Sequence, residues 1–533
     1  MEKILVVDLT TKKVISQDYN VKSYGHYGRG LAVDLIRKIV PSEAGRYSPE
    51  NAIVFVPGLF TGCKVASSCR LMIMTKKDRN EGIQLSNTTG NLPQKMGSLS
   101  IAALVVKGES QERNAVLHIS NKGVEILNMP ELENTMTSSM IKRLKERFGA
   151  NAGIVAVGKT ADMQMSLSTF VCTYPDGEPE YHCPRSGFGD VFGSKGLRAV
   201  VVTSKKSFDR ECLNEENFQS TGKDFAKLII NNDICGGALP AYGSVTLIRL
   251  LKDKEKVLAS IKDKKTESIK SKQIDINKIK NENTYKSNKK VNFCCAPMCV
   301  IGCLNRHSIN DGQVYSSPDE SEVHEALKSC YQLDDYEYTK LLRKKAYELG
   351  IVGTEFVTAS KMYFEATGLS WSKQEILKLL DEIENGTVIG RVVASRTYGI
   401  NNLFSENKNL IPLLDRKAID DEDDFQVSIN KFDSQLKTIS DMDLLYAQIF
   451  VLENLGFCIF SSFAIVNNEG SFELMAKLFT YKTGIEVTSV ELINYARGCM
   501  EMEKEYEKEN FINNIQKNIP PFTKVLYRYF ARI

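Results

Sequence analysis

The sequence predicts an α+β fold, in which a strand-rich N-terminal part precedes mostly helical parts. Two observations carry this prediction. Short apolar runs separated by glycine-containing turns fill residues 1–205, and apolar residues at three- and four-residue spacing dominate from about residue 206 onward. The chain has 533 residues, which is too long for one hydrophobic core. We therefore expect three domains, bounded at 1–205, 206–425 and 426–533.

The N-terminal strands are predicted from apolar runs that end at turn residues. The runs at 3–9 and 14–19 flank four polar residues and predict a hairpin. Further strands are predicted at 52–56, 70–75, 102–107, 115–119, 124–127, 153–158 and 197–203. No internal repeat is apparent in the sequence.

Helices are predicted in the second part of the chain. Ser372 followed by Glu375 forms a capping box, which opens a helix that ends near Gly386. Other helices are predicted at 217–231, 336–349, 441–454, 471–483 and 489–515. The lysine-rich stretch 252–290 is expected to be an exposed face, and the acidic stretch 415–424 an exposed loop.

Composition excludes several classes of protein. The 69 basic and 66 acidic side chains give a net charge of +3, which offers no reason to expect a nucleic-acid partner. No apolar run approaches the roughly 18 residues that span a bilayer, and the first residues lead directly into a strand rather than a secretory signal. We expect a cytoplasmic protein with no membrane partner. Thiols stay reduced there, so the 13 cysteines indicate metal binding or redox chemistry.

Four of these cysteines fall within ten residues: Cys294, Cys295, Cys299 and Cys303. Thiolates bind zinc and iron–sulfur centres. The Cys-x3-Cys-x3-Cys spacing from Cys295 differs from the paired Cys-x2-Cys knuckles of zinc sites, although His307 could complete a zinc site. The spacing favours a [4Fe-4S] cluster, and zinc or buried unliganded thiols are the alternatives. A cubane takes four thiolates, so a spare cysteine in the adjacent pair would require a distant fourth ligand.

Several motifs together resemble the tungsten-dependent aldehyde:ferredoxin oxidoreductase family. They lie at residues 28–32, 49–52, 57–62, 67–70, 86–90, 185–189, 193–199 and 236–243. The resemblance implies an N-terminal two-sheet, β-rich base domain that binds pterins and is followed by mostly helical domains. It also implies tungsten or molybdenum held by two pterins (a bis-pterin centre) beside one [4Fe-4S] cluster.

The same resemblance assigns roles to particular residues. Residues 453–458 resemble the family's Asp-x-x-Gly-Leu-Cys motif, which makes Cys458 the fourth cluster ligand and Glu453 an acceptor for pterin nitrogens. The other positions that match cofactor-binding residues of the family are Arg70, Asn87, Arg185, Gly187 and Gly189.

The sequence departs from the family pattern at several places. The family spacing would put the first cluster ligand at Ala296, so Cys295 is the candidate substitute and Cys294 its rival. The family's first pterin motif, Asp-x-x-Gly-Leu-Asp, matches residues 347–352, where both carboxylates are absent. The family's histidine near the metal is also missing, because all five histidines lie before residue 325.

A candidate acid partner lies in residues 318–322, which resemble the family's Pro-Glu-Tyr-Glu segment. Glu320 or Glu322 could transfer protons, and His324 lies one helical turn beyond Glu320. The alternative is a solvated helix start, because acidic residues favour the first turn of a helix.

The resemblance implies an oxidoreductase that acts on a small-molecule aldehyde or oxo donor. Electrons would pass through the cluster to ferredoxin or a dedicated electron-carrier subunit, and a homodimer is expected because family members are often dimers. The missing carboxylates and histidine support a second hypothesis, a non-catalytic electron-transfer or scaffold subunit. A zinc-stabilised binding protein is the third.

Overall fold

The computed structural model describes residues 1–77, 82–175, 181–205, 208–244, 246–247, 250, 292–308, 314–316, 320–404, 429–510, 526 and 529–530. The stretches predicted to be exposed, 252–290 and 415–424, lie outside these residues, as do positions 511–515 of the last predicted helix. In the part of the chain that is described, no helix is both long enough and apolar enough to cross a membrane.

The first sheet has six strands in the order β2-β1-β6-β3-β4-β5. β1 and β2 form the predicted hairpin, β6 pairs with β1 in parallel, and the other neighbours are antiparallel. The strands are β1 (Glu2–Asp8), β2 (Lys13–Tyr19), β3 (Ile53–Pro57), β4 (Leu71–Lys76), β5 (Ile83–Thr88) and β6 (Ile101–Lys107). The helices among them are α1 (Val21–Tyr24), α2 (Gly28–Ile39) and α3 (Asn91–Ser98).

The second sheet has the order β11-β10-β9-β12-β7-β8. As in the first sheet, the two strands that come first along the chain, β7 and β8, form a hairpin. The strand that comes last along the chain, β12, pairs in parallel with β7. The strands are β7 (Ala115–Ser120), β8 (Gly123–Asn128), β9 (Gly153–Val157), β10 (Phe170–Thr173), β11 (Tyr181–His182) and β12 (Leu197–Val202). The helices are α4 (Thr137–Phe148), α5 (Lys159–Asp162) and α6 (Gly189–Ser194). The two sheets therefore repeat one topology, which the sequence does not reveal.

The two sheets pack face to face through a shared apolar core. Phe55 of the first sheet meets Phe192 edge to face at 6.0 Å between ring centroids, and Phe192 also contacts Phe170 of the second sheet. Helix α2 covers the outer face of the first sheet, and α4 covers that of the second. The predicted α+β class with a two-sheet N-terminal domain is confirmed.

The rest of the described chain is mostly helical and has two cores. Side chains between 218 and 250 share a core with those after 429, while residues 323–400 form a core of their own. The helices are α7 (Glu215–Asn231), α8 (Leu239–Tyr242), α9 (Glu320–Tyr331), α10 (Tyr336–Leu349), α11 (Gly353–Thr367), α12 (Lys373–Glu384), α13 (Val388–Ala394), α14 (Arg396–Leu403), α15 (Asp441–Leu455), α16 (Ser462–Ile465), α17 (Glu469–Thr483) and α18 (Ser489–Asn510). Three short strands, β13 (Asn292–Phe293), β14 (Leu304–Ser308) and β15 (Val314–Ser316), form a small sheet. Ser372 caps α12 as predicted, because its hydroxyl accepts from the Glu375 N–H at 3.1 Å.

Two helices end in the same way against the two sheets. α15 ends at Gly456 and α10 at Gly350, and each glycine has the left-handed conformation that ends helices. The following residue forms a β-bridge to the base domain: Phe457 pairs with Ser68, and Ile351 pairs with Ser168. The helical part is therefore joined to each sheet by an equivalent backbone contact.

The Gly456 contact leads to a stability prediction. A Cβ at Gly456 would lie 2.4 Å from Thr61 Oγ1 and 2.9 Å from Gly58 Cα, and φ is +90°. We expect Gly456→Ala to lower the free energy of unfolding by about 3 kcal/mol or more, from strain plus overpacking. Gly368→Ala is the matched control, because Gly368 also caps a helix in the left-handed region but faces open space. It should cost about 1 kcal/mol. Equal losses in denaturant unfolding would contradict the prediction.

Candidate metal and cofactor site

The cysteine cluster lies on a short loop that a β-hairpin closes. β13 and β14 pair antiparallel on either side of residues 294–303. Met298 and Gly302 have positive φ angles of 62° and 63°, which turn the chain tightly between the cysteines. The backbone N–H of Gly302 donates to Cys299 Sγ at 3.4 Å. The loop therefore turns backbone donors towards sulfur, as iron–sulfur and other thiolate sites require.

Ser67 joins the cysteine loop to Cys458. Its N–H donates to the carbonyl oxygen of Met298 at 2.9 Å, and its own carbonyl accepts from the Cys458 N–H at 2.9 Å. The next residues extend this contact, since the N–H groups of Cys69 and Arg70 donate to the Gly456 carbonyl at 2.9 and 3.0 Å. Cys458, predicted as the distant ligand, is thus brought to the loop by a continuous backbone contact.

Arg70 gives this region its positive charge. Its Nη2 donates to Cys458 Sγ at 2.9 Å. Burial opposes the charge, but the sulfurs of Cys458, Cys69 and Cys295 outweigh it and raise the pKa of Arg70 above its usual range. A fixed cation beside several sulfurs stabilises them as thiolates, which is the form that binds metal.

The sulfurs of the loop also interact with one another. Hydrogen bonds from Cys294 and Cys295 lower the pKa of Cys299 well below its usual range. The same bond to Cys299, together with burial, raises the pKa of Cys295. Burial, and then the charges of Cys458 and Cys299, raise the pKa of Cys303. Cys295, Cys299 and Cys303 therefore lie close enough for their sulfurs to affect one another, as expected of thiols that bind one cluster.

The adjacent cysteines differ in their surroundings. The Cys294 thiol donates to the backbone carbonyl of Cys299 at 3.3 Å. The Cys295 sulfur interacts with Arg70 and with Cys69, a buried cysteine that the sequence reading did not single out. Cys295 therefore faces the same region as Cys458, whereas Cys294 bonds the backbone carbonyl and the sulfur of Cys299 within its own loop.

Among the residues that the structure describes, no three His, Cys, Asp or Glu side chains lie close enough to hold one metal ion.

Asn87 and Glu453 lie next to this cysteine region and are bonded to each other. Asn87 Nδ2 donates to Glu453 Oε1 at 3.0 Å. Arg70 and Asn87 project from the same face of neighbouring strands, by the register of β4 and β5. Within the described part of the chain, Asn87 Oδ1 and Arg70 Nε are buried without a hydrogen-bond partner. Such atoms are rare in proteins unless a ligand or water completes them.

The glycine-rich loop after β11 brings Arg185 to Glu322, and the two side chains form an ion pair. Gly187 and Gly189 are needed for packing, because a Cβ at either position would collide with Thr169 or Ser168. The loop can therefore approach β10 closely, and the Gly189 N–H donates to the Ser168 carbonyl at 3.1 Å. The N–H groups of residues 186–188 are the candidates for binding phosphate.

The predicted acid and histidine are not brought together. Glu322 bonds Arg185, whereas His324 is bonded to Thr339 through Nδ1 at 2.9 Å and to Asp334 through Nε2 at 3.0 Å. Glu320 begins α9, and its side chain lies outside the described part. Of the two candidates whose side chains are described, only Glu322 contacts a predicted cofactor-binding residue.

The second sheet presents different chemistry at the equivalent helix end. Tyr347 occupies the position that corresponds to Glu453 and is 1% exposed in the apolar core under the second sheet. Val352 occupies the position that corresponds to Cys458 and is also buried. Glu348 points elsewhere and accepts from the Ser138 hydroxyl at 2.6 Å. This half therefore has no carboxylate where the family motif has two.

Known proteins share both the base domain and the whole fold. Residues 4–204 match the family model described as aldehyde ferredoxin oxidoreductase, N-terminal domain. The tungsten-containing aldehyde ferredoxin oxidoreductase of Thermococcus kodakarensis is 26% identical over 254 residues, which are 47% of this chain and 41% of that protein. The Pyrococcus abyssi protein of the same name is 25% identical, with 47% and 40% covered. The alignments thus span about two fifths of these relatives.

A solved structure matches nearly the full length. The active site complex BamBC of benzoyl coenzyme A reductase in complex with 1,5 dienoyl-CoA has a TM-score of 0.74 to this chain. The match covers 97% of this chain and 92% of that chain at 16% sequence identity, so it establishes the fold.

The fold and the site define a class of protein in which a two-sheet base domain lies under a mostly helical part, and this part contains a cysteine-rich loop. The match of residues 4–204 to the N-terminal domain model of the aldehyde ferredoxin oxidoreductase family confirms the resemblance inferred from the sequence motifs. The relatives named above are oxidoreductases by name.

The different surroundings of the adjacent cysteines predict different effects of their removal. Cys295→Ala should lower the metal bound per chain more than about 10-fold, because it removes a thiolate that faces Arg70. Cys294→Ala is the matched control and should keep most of the metal. Elemental analysis of anaerobically purified variants measures both, and an equal or larger loss in Cys294→Ala would refute the assignment.

Proposed function

We propose that this chain is an oxidoreductase that carries a pterin-bound tungsten or molybdenum beside a [4Fe-4S] cluster. Its electrons would pass to ferredoxin or to a dedicated electron-carrier subunit. One observation carries the proposal. Ser67 and Arg70 bring the cysteine loop and Cys458 together just before β4 begins. The bonded pair Asn87 and Glu453 lies next to them. When bound, the pterin-held metal supplies two-electron chemistry at a carbonyl carbon, and the cluster passes electrons singly.

The four proposed cluster ligands are Cys295, Cys299, Cys303 and Cys458. Arg70 interacts with the sulfurs of Cys458, Cys295 and Cys303, and all four cysteines are partly or fully buried. Backbone N–H groups and a guanidinium near the sulfurs stabilise a cluster that carries negative charge. This chemistry fits a four-iron cluster.

The site beside the cluster fits one pterin well. Glu453 and the orphaned Asn87 Oδ1 are hydrogen-bond acceptors on two bonded side chains. The aminopyrimidine edge of a pterin presents adjacent N–H donors, which a carboxylate and an amide oxygen can accept. Arg70 Nε, also orphaned, is a donor for an acceptor atom of the ligand.

The second half fits a second pterin less well. Tyr347 and Val352 replace both carboxylates of the family motif, so Arg185 and the backbone of residues 186–188 would have to hold that pterin. A bis-pterin centre in this chain is therefore anchored asymmetrically. Glu322, bonded to Arg185, is the residue that we assign to proton transfer, since the histidine of the family is absent.

The substrate class follows from the relatives named above. Their names specify aldehydes, and the BamBC structure holds a dienoyl-CoA. We propose a small-molecule aldehyde or other oxo donor, a cytoplasmic location and a homodimeric assembly, with no nucleic-acid or membrane partner.

A non-catalytic electron-transfer or scaffold subunit is the second candidate function. It is favoured by Tyr347, which packs into a hydrophobic core at the position where the family has a pterin carboxylate. Such a subunit would keep the cluster and lose the metal–pterin centre.

Elemental analysis distinguishes these functions. Anaerobically purified wild-type chain should contain about four irons and about one tungsten or molybdenum per chain. Iron without tungsten or molybdenum would refute the metal–pterin proposal and leave the electron-transfer role. Zinc without iron would refute both.

The activity has its own test. The purified chain should reduce a viologen dye when an aldehyde is added, and Glu322→Gln should lower kcat about 100-fold or more, because it removes the proposed proton-transfer group. Glu325→Gln, on the same helix, is the matched control. Equal rates for Glu322→Gln and wild type would exclude Glu322 from proton transfer.

A further inference from the structure

Arg29 lies between two carboxylates beneath the Asn87–Glu453 pair. Its Nη1 donates to Glu453 Oε2 at 2.6 Å. Its Nη2 and Nε donate to the Glu503 carboxylate at 2.7 and 3.1 Å. Arg29 belongs to the first turn of α2, Glu453 to α15 and Glu503 to α18, so three helices meet at one guanidinium.

The surroundings fix the orientation of this guanidinium. One face lies 4.3 Å from the centroid of the Phe450 ring, and Nη2 also donates to Tyr446 Oη at 3.4 Å. Arg29 and Glu453 expose 6% and 8% of their side chains, and Glu503 exposes 14%. Buried charges in this geometry exchange little with water, so each partner determines where the other can lie.

The charges do not cancel. Two carboxylates face one guanidinium, and the atom that bonds Glu453 from the opposite side is the neutral amide nitrogen of Asn87. Burial opposes the charge of Arg29, yet Glu503 foremost among its partners raises its pKa well above the usual range. Glu453 therefore can accept more hydrogen bonds than Arg29 and Asn87 donate to it. A ligand with N–H donors that lies beside Asn87 would donate the remaining ones.

We propose that Arg29 and Glu503 are positioning residues that hold Glu453 in the orientation in which it binds the pterin. This inference rests on the proposed function. Glu503 holds the guanidinium by accepting hydrogen bonds from its Nε and Nη2, and the guanidinium in turn donates to one carboxylate oxygen of Glu453. The other oxygen of Glu453 remains with Asn87 and the ligand. Without Glu503, the full attraction of Arg29 falls on Glu453 and draws its carboxylate away from Asn87.

Glu503→Gln tests this role, with Glu503→Asp as the conservative variant. Pterin per chain is measured by fluorescence after oxidative release, and iron per chain by elemental analysis. Glu503→Gln should lower pterin content about 10-fold while iron is unchanged, since outer partners of a bound group typically contribute 10- to 100-fold. Glu503→Asp, which keeps the charge, should restore most of the pterin.

Glu2→Gln is the matched control. Glu2 also binds a buried arginine with two oxygens, at 2.7 and 2.8 Å from Arg210, and exposes 15% of its side chain. This variant should keep both pterin and iron. Equal pterin in Glu503→Gln and wild type, or an equal loss in Glu2→Gln, would overturn the inference. A wild-type chain with iron and no pterin would instead refute the proposed function, and this inference with it.

Discussion

The site depends on a backbone contact only a few residues long. Residues 67–70, which lead into β4, pair with residues 456–458, which follow α15, and Ser67 also bonds the cysteine loop. The contact requires Gly456, because a side chain there would collide with Gly58 and Thr61. The positions of Arg70, Cys458 and the loop all follow from it. The helix that ends at Gly456 also carries Glu453 and therefore determines where this carboxylate meets Asn87.

The same contact occurs in the second half of the base domain with other chemistry. Ile351 pairs with Ser168 as Phe457 pairs with Ser68. The flanking positions differ, since Tyr347 and Val352 are buried where Glu453 bonds Arg29 and Cys458 bonds Arg70. The Arg343 guanidinium lies 4.3 Å from the centroid of the Tyr347 ring. The same backbone contact therefore carries an acid and a thiol in one half, and at the equivalent positions of the other half it carries neither. The geometry of the contact does not require the chemistry of the cofactor.

The features that sequence reasoning found are local ones. Cysteine spacing pointed to the loop, alternation and turns predicted most strands, and Ser372 with Glu375 marked a helix start that the structure has. The roles of Arg29, Glu503 and Cys69 could not be found in this way, because each depends on partners hundreds of residues distant. The sequence also did not indicate the shared topology of the two sheets, because strand order depends on the burial of whole sheet faces, which many different sequences achieve. Helix α2 was missed because glycine and arginine open it, and nine of its residues are nevertheless buried.

The order of residues along the chain has a consequence for biosynthesis. Ser67 emerges first, the cysteine loop follows, and Cys458 appears only when most of the 533 residues have been made. Until then the proposed iron–sulfur cluster would find only three of its four proposed thiolates. Delivery of iron to a nascent chain would leave one iron open to water and oxidants, so cluster loading is expected to wait for release from the ribosome. A chain truncated before α15 would be left with an incomplete cluster, whatever the stability of its base domain.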